Sequence, residues 1–147
     1  MKRPFPPTYF LLALILVAAF HFLLPVTQLV EGVWRCTGVI PFVLGVFLNL
    51  SADRAFKQRG TTVKPFEEST ALIAEGVFSF SRNPMYLGML LILAGAALLA
   101  GSAMPWIAVF IFALLMDRSF IAPEERMLES KFGEQFGQYK CQVRRWL

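Results

Sequence analysis

Apolar residues fall along this chain in long runs separated by short polar stretches. A helix rises about 1.5 Å per residue, so roughly 20 apolar residues, or about 17 at low tilt, cross a hydrocarbon core of roughly 30 Å. Residues 8–24 meet that length, with Pro4, Pro6 and Pro7 before them and Pro25 after. No small-residue cleavage site follows, so the run predicts a retained span rather than a cleaved leader. A second run, about residues 33–50, carries Arg35 near its start, where a long side chain can snorkel to the interface, and Pro41, which predicts a kink. Residues 85–116 hold no charge at all and would overrun a bilayer as one straight helix. Gly101-Ser102-Ala103-Met104-Pro105 supplies a turn, which predicts a hairpin of two short spans, about 85–100 and about 105–120. Within it Gly88 and Gly95 recur seven apart, with Ala94, Ala97 and Gly101 nearby, a spacing that predicts close backbone packing.

The pattern changes after Phe120. Pro123 followed by Glu124 and Glu125 reads as a helix start, with proline at the first position and acids at the positive end of the dipole. Leu128, Phe132, Phe136, Tyr139, Val143 and Trp146 then recur at spacings of four, four, three, four and three. That predicts an amphipathic helix, weakened at Gly133 and Gly137, which either covers a site beneath it or serves as an interfacial anchor.

Composition narrows the class. The 147 residues are 56% hydrophobic and 16% charged, against about 45–50% and about 25% in soluble domains. One unit, 1–147, is expected, with no room for a separate soluble catalytic domain. The net charge of +4 sits at the ends of the apolar runs, which fits membrane topology and not nucleic-acid binding. Lys2 and Arg3 lead the chain; Arg54, Lys57, Arg59, Lys64 and Arg82 follow the second run; Arg126, Lys131, Lys140, Arg144 and Arg145 fill the tail. The Gly101 turn has no basic residue, so both termini and the long middle loop are expected in the cytosol. Cys36 and Cys141 lie far apart in no metal-ligand spacing, and predict two free thiols and no metal site.

The expected fold is therefore all-α and integral to the membrane: about four transmembrane helices with a cytosolic amphipathic C-terminal helical segment. The first two spans occupy about 8–50, and the core hairpin with its flanking polar segments about 76–147. Polar groups crowd the membrane boundary at Ser81-Arg82-Asn83-Pro84-Met85-Tyr86 and at Asp117-Arg118 with Glu124-Glu125. A hairpin makes those two places neighbours, which brings Arg82 to the acidic pair, either as a site or as an interfacial salt bridge. His21, alone in the first run, shows no ionisable partner and reads as structural. No GxGxxG or P-loop glycine pattern, GxSxG or HExxH occurs.

The series Gly76-Val77-Phe78-Ser79-Phe80-Ser81-Arg82-Asn83-Pro84-Met85-Tyr86-Leu87-Gly88, an apolar hairpin, Glu124-Glu125-Arg126-Met127-Leu128, then Phe132-Gly133, Phe136, Tyr139, Val143 and Arg145-Trp146 resembles the isoprenylcysteine carboxyl methyltransferase and phospholipid methyltransferase superfamily. The resemblance covers roughly the second half of the chain. It implies an integral-membrane methyltransferase that uses S-adenosylmethionine, with S-adenosylhomocysteine as product, and an acceptor that is an isoprenylcysteine-like carboxylate, a phospholipid amine or a small lipophilic thiol. It implies Arg82 and Glu125 as catalytic residues, and Asn83, Pro84, Tyr86, Leu87, Gly88, Glu124, Glu125 and Arg145 around the cofactor. Protein-modifying members usually carry His where this chain has Asn83, whose amide donates and accepts hydrogen bonds but does not titrate. Arg144 stands where many relatives carry Pro. The expected partners are the bilayer and a lipophilic substrate, with no nucleic acid. A non-enzymatic helical bundle, transporter or lipid-binding module is the alternative; a transporter would ordinarily place a carboxylate inside a span, and residues 8–24 and the hairpin contain none.

Overall fold

The computed structural model describes residues 5–24, 26–60 and 72–147. The described residues form five α-helices: α1, Pro6–Leu23; α2, Val39–Gln58; α3, Pro84–Ala100; α4, Pro105–Met116; and α5, Ala122–Gln142. Short 3-10 turns at Gly32–Gly38 and Gly76–Ser79 precede α2 and α3. Pro6–Leu23, Gly32–Gln58 and Pro105–Phe132 are long and apolar enough to cross a membrane, and the apolar α3, at 17 residues, is shorter. The fold is all-helical, as expected.

The central helix is α3, which packs on α1, α2 and α4. It buries Tyr86, Leu87, Met89, Leu93 and Ala97, and shares one core with Ala13 and Val17 of α1, Ala108, Val109, Phe112 and Met116 of α4, and Phe120 and Ile121. The outer helices are apolar on their free faces too. Leu11, Leu12, Ile15 and Phe22 of α1, and Ile40, Val43, Phe47 and Leu50 of α2, are exposed, the arrangement of helices solvated by lipid.

Gly88 and Gly95 do bring backbones together, but the partner is α2 and not α4. A methyl added to Gly38 would come 2.5 Å from the Gly95 carbonyl oxygen, and one on Gly95 would come 2.6 Å from that of Gly38. A methyl on Gly88 would meet the Gly45 carbonyl oxygen at 2.7 Å and would also strike the Asn49 side chain. Pro41 leaves α2 unkinked, because it sits in the first turn, where its missing N–H has no intrahelical partner to lose.

The hairpin turn falls where the sequence places it. Gly101 ends α3 in the left-handed region, φ 77°, and its N–H donates to the Ala97 carbonyl at 3.1 Å. Its own carbonyl accepts from Leu29 and Val30 N–H groups at 2.8 and 3.1 Å, and the Arg35 guanidinium ties down Val30 and Gln28 in the same loop. His21 also settles here, its Nδ1 2.8 Å from the Ser102 hydroxyl.

The last helices depart from expectation. No break separates α4 from α5: a π turn, Asp117–Ile121, joins them into one helical run. A proline inside a helix removes a donor and crowds the preceding turn. The wider π turn lies just before Pro123, and the Ala122 N–H returns to the Asp117 carbonyl across it. The amphipathic stripe is shorter than its spacing suggests, for α5 kinks at Gly133 and stops at Gln142, with Val143 extended. Phe136, Tyr139 and Val143 still pack together, whereas Trp146 joins the core of the bundle.

Glycine packing makes a paired prediction. Gly95→Ala should lower stability by about 1–3 kcal/mol, because the methyl meets backbone that cannot step aside. Gly137→Ala, whose methyl meets nothing within 4 Å, should raise it by about 0.4–1 kcal/mol. Thermal unfolding of both variants in one detergent checks the sign of each.

Candidate active site

The site begins at the linker before α3. Pro84 opens that helix without needing a donor, which frees Asn83 from capping it. The Asn83 amide donates instead to the Arg145 carbonyl at 3.1 Å, and the Ser81 hydroxyl, which accepts from the Asn83 N–H at 3.1 Å, donates to the same carbonyl at 3.3 Å. The Arg82 N–H donates to the Arg144 carbonyl at 3.1 Å. Three consecutive residues thus strap the chain's tail against the start of α3.

Charge locks the strap. Glu125 projects from α5 between two arginines, and its carboxylate is nearly enclosed. Arg82 donates to Oε1 through Nε at 3.1 Å and a terminal nitrogen at 2.8 Å, while Arg145 donates to Oε2 at 3.1 and 2.6 Å. The second terminal nitrogen of Arg82 donates to the Lys140 and Val143 carbonyls at 3.2 and 2.9 Å. Four of its five N–H groups are committed. Arg145 reaches on to Asp117 in the π turn, at 3.2 and 3.4 Å. The hydrogen bond to Glu125 raises the affinity of the Arg145 guanidinium for its proton; burial opposes it, and the charges of Glu125 and Asp117 add to the rise. Below the cluster the Tyr139 hydroxyl donates to the Phe78 carbonyl at 2.6 Å, and burial pushes its pKa up to about 12 against the nearby Arg82 charge.

Glu124, one residue earlier on α5, faces elsewhere. Its carboxylate accepts from the Tyr86 hydroxyl at 2.7 Å and lines a cavity of about 250 Å³. Arg82, Asn83, Tyr86 and Glu124 are the polar contributors to that cavity. The other lining residues are apolar: Phe5, Pro6 and Pro7 at the start of α1, Phe56 of α2, Phe78, and Pro84, Met85 and Met89 of α3. The Phe56 and Phe78 rings meet edge to face, 5.4 Å apart. Among the described residues no cation pairs with Glu124, so the carboxylate is the group in the cavity with acceptor capacity to offer.

The structure therefore joins Arg82 with Glu125 and Arg145, and places Asn83, Pro84, Tyr86 and Glu124 on the cavity wall. Leu87 and Gly88 turn into the bundle, where Leu87 is buried and the open side of Gly88 faces Gly45 and Asn49. Sequence reasoning did not place Phe5, Pro6, Pro7, Phe56 or Met89 at the site. Phe5, Pro6, Pro7 and Phe56 lie just outside the apolar runs and Met89 within one, where a residue facing lipid and one facing a cavity look alike.

Breaking the lock should be costly. Arg82→Ala leaves Glu125 half-paired in a buried setting and should destabilise by about 3–5 kcal/mol. Hydrogen exchange of residues 143–147 should rise before the helices melt, and unchanged exchange there would contradict the strap.

Comparison with known proteins places this geometry. A family model described as phospholipid methyltransferase matches residues 33–135. Protein-S-isoprenylcysteine O-methyltransferase of Schizosaccharomyces pombe is 29% identical over 75 residues, which are 49% of this chain and 30% of that protein. An uncharacterized protein of Haemophilus influenzae is 49% identical over 63 residues, 43% of this chain and the whole of that protein. No solved structure matches. The matched region runs from the 3-10 turn before α2 into α5 and holds the arginine–glutamate lock, apart from Arg145, and the polar end of the cavity. By that match the chain belongs to the phospholipid methyltransferase family.

Proposed function

We propose that the protein transfers a methyl group from S-adenosylmethionine to a lipophilic acceptor drawn from the membrane. The observation that carries this reading is a cavity with mixed lining. Arg82, Asn83, Tyr86 and Glu124 are its polar groups, within the region shared with the family, and aromatic, proline and methionine side chains make the rest.

The residues present fit the cofactor. A carboxylate with no cationic partner among the described residues suits ribose hydroxyls or an amino group as donors, and Glu124 supplies it. When bound, S-adenosylmethionine supplies a methyl group on a positively charged sulfur. The Tyr86 hydroxyl orients the Glu124 carboxylate, and its ring packs against Phe120, 6.4 Å between centroids. Asn83 and Pro84 fix the adjoining backbone. Methyl transfer is an in-line displacement, so alignment and exclusion of water are what the protein must provide. The apolar walls keep water out. Arg82 and Glu125 are bound to each other and to the tail, so this reading gives them a positioning role, holding the linker from which Tyr86 and the start of α3 are aimed. The charged ends of α2 and α5 lie with the site, which supports placing it on the cytosolic side.

Calorimetry in lipid nanodiscs tests the donor site. Wild-type protein should bind S-adenosylmethionine saturably, and Glu124→Gln should weaken binding about tenfold or more, the loss of a hydrogen bond to a charged group being about 1.5–3 kcal/mol. Absence of saturable binding by folded wild type would overturn the reading. Label from methyl-tritiated S-adenosylmethionine should enter products extractable into organic solvent; transfer confined to wholly water-soluble acceptors would refute the lipophilic acceptor.

A further inference from the structure

The family match begins at residue 33, yet Phe5, Pro6 and Pro7 form part of the cavity wall. We infer that this N-terminal wall selects the acceptor's apolar part: Phe5 sets the width of a slot for one hydrocarbon chain, and the family-shared polar end holds the reacting groups. The word acceptor rests on the methyl-transfer reading; the slot itself rests on geometry.

Three features point this way. Besides its polar groups the cavity offers Phe5, Phe56, Phe78, Met85 and Met89, surfaces that recognise methyl and methylene groups. The cavity, about 250 Å³, lies just below the range of small-molecule sites, about 300–1,000 Å³, so what enters it beside the reacting groups must be slender. The wall is also preset. Pro6 and Pro7 occupy the first turn of α1 with φ fixed by their rings, so they hold their place without an ordering penalty when a chain enters.

Phe5 is where size decides. It precedes α1 in extended conformation, φ −70° and ψ 151°, and stays 53% exposed while its side chain lines the cavity. That puts its ring at the rim. Phe56 and Phe78 hold one another edge to face, and Met85 and Met89 are unbranched and adapt to what lies on them. The rim ring is the replaceable element. Because it lies outside the matched region, chains sharing the same polar end can differ in the slot.

Photolabelling tests this without methyl transfer. Wild type, Phe5→Ala and Phe5→Trp in nanodiscs are exposed to two diazirine-bearing hydrocarbon chains of equal carbon number, one straight and one methyl-branched, and labelled peptides are mapped by mass spectrometry. Label should fall on the peptides holding Met85 and Met89. The branched-to-straight ratio there should rise about tenfold in Phe5→Ala and fall in Phe5→Trp, the discrimination a single methyl group commands in an apolar pocket. Equal ratios in all three proteins, or label confined to the lipid-facing peptides of α1 and α2, would overturn the inference. Calorimetry on the same samples keeps the two readings apart. Unchanged S-adenosylmethionine binding with a shifted ratio supports both; binding retained with a flat ratio removes the slot alone; no binding by the wild type removes the methyl donor, while the ratio still decides the slot.

Discussion

The carboxylate of Glu125 is shared between two arginines more than sixty residues apart in the chain, Arg82 and Arg145, and the polar half of this molecule is organised around that division. Arg82 takes one oxygen and Arg145 the other, so the linker before α3, the first turn of α5 and the tail meet at one point. Burial of such a group carries a desolvation penalty that its attractions offset only when geometry is good and the remaining donors are satisfied. Here they are, since Arg82 also donates to two carbonyls and Arg145 to Asp117. Buried ion networks of this kind add little net stability over apolar packing, but losing one partner leaves the others uncompensated at high cost. The network is thus a device for fixing where α5 crosses the mouth of the bundle, and the cavity's polar end follows from it.

A second constraint acts inside the bundle. Between helices solvated by lipid the hydrophobic drive is weak, and association depends on close packing. The Gly38–Gly95 and Gly45–Gly88 approaches supply it along the face where α2 lies on α3. Large residues then point outward along α1 and α2, where lipid receives them. The two devices are complementary: glycine contacts set the spacing of the spans, and the ion network sets what happens where the spans end.

Much of this was legible in the residues. Run lengths measured against a bilayer fix where spans end, so the hairpin at Gly101 and the meeting of Arg82 with the acids more than forty residues later followed from the sequence alone. Other features were not legible, for identifiable reasons. A seven-residue glycine spacing names a face but not the helix opposite, and α2 took the place expected of α4. Proline at position 123 signals a helix start, yet a π turn absorbs it within a continuous run, and no residue pattern marks a π turn in advance. Phe5 stood outside the first apolar run, where periodicity says nothing about a cavity formed with helices far along the chain.

The adjacent glutamates show how one helix assigns different chemistry to like residues. Successive positions on an α-helix are rotated by about 100°, so Glu124 and Glu125 cannot share an environment. Glu125 faces two arginines and is wholly engaged. Glu124 faces a cavity, with Tyr86 its donor among the described residues and a largely apolar lining around it. A carboxylate held with most of its acceptor capacity unmet is costly to keep in an apolar setting. That cost is relieved when a ligand brings donors to it. The engaged glutamate builds the wall and the other faces the cavity, and a one-residue shift of α5 would turn at least one of them about 100° away from its partners. The π turn between α4 and α5 changes the rotational register of everything after it by the extra residue it accommodates. The irregular turn at Asp117–Ile121 is therefore what aims Glu124 at the cavity and Glu125 at the arginines, and Arg145 holds it in place by gripping Asp117.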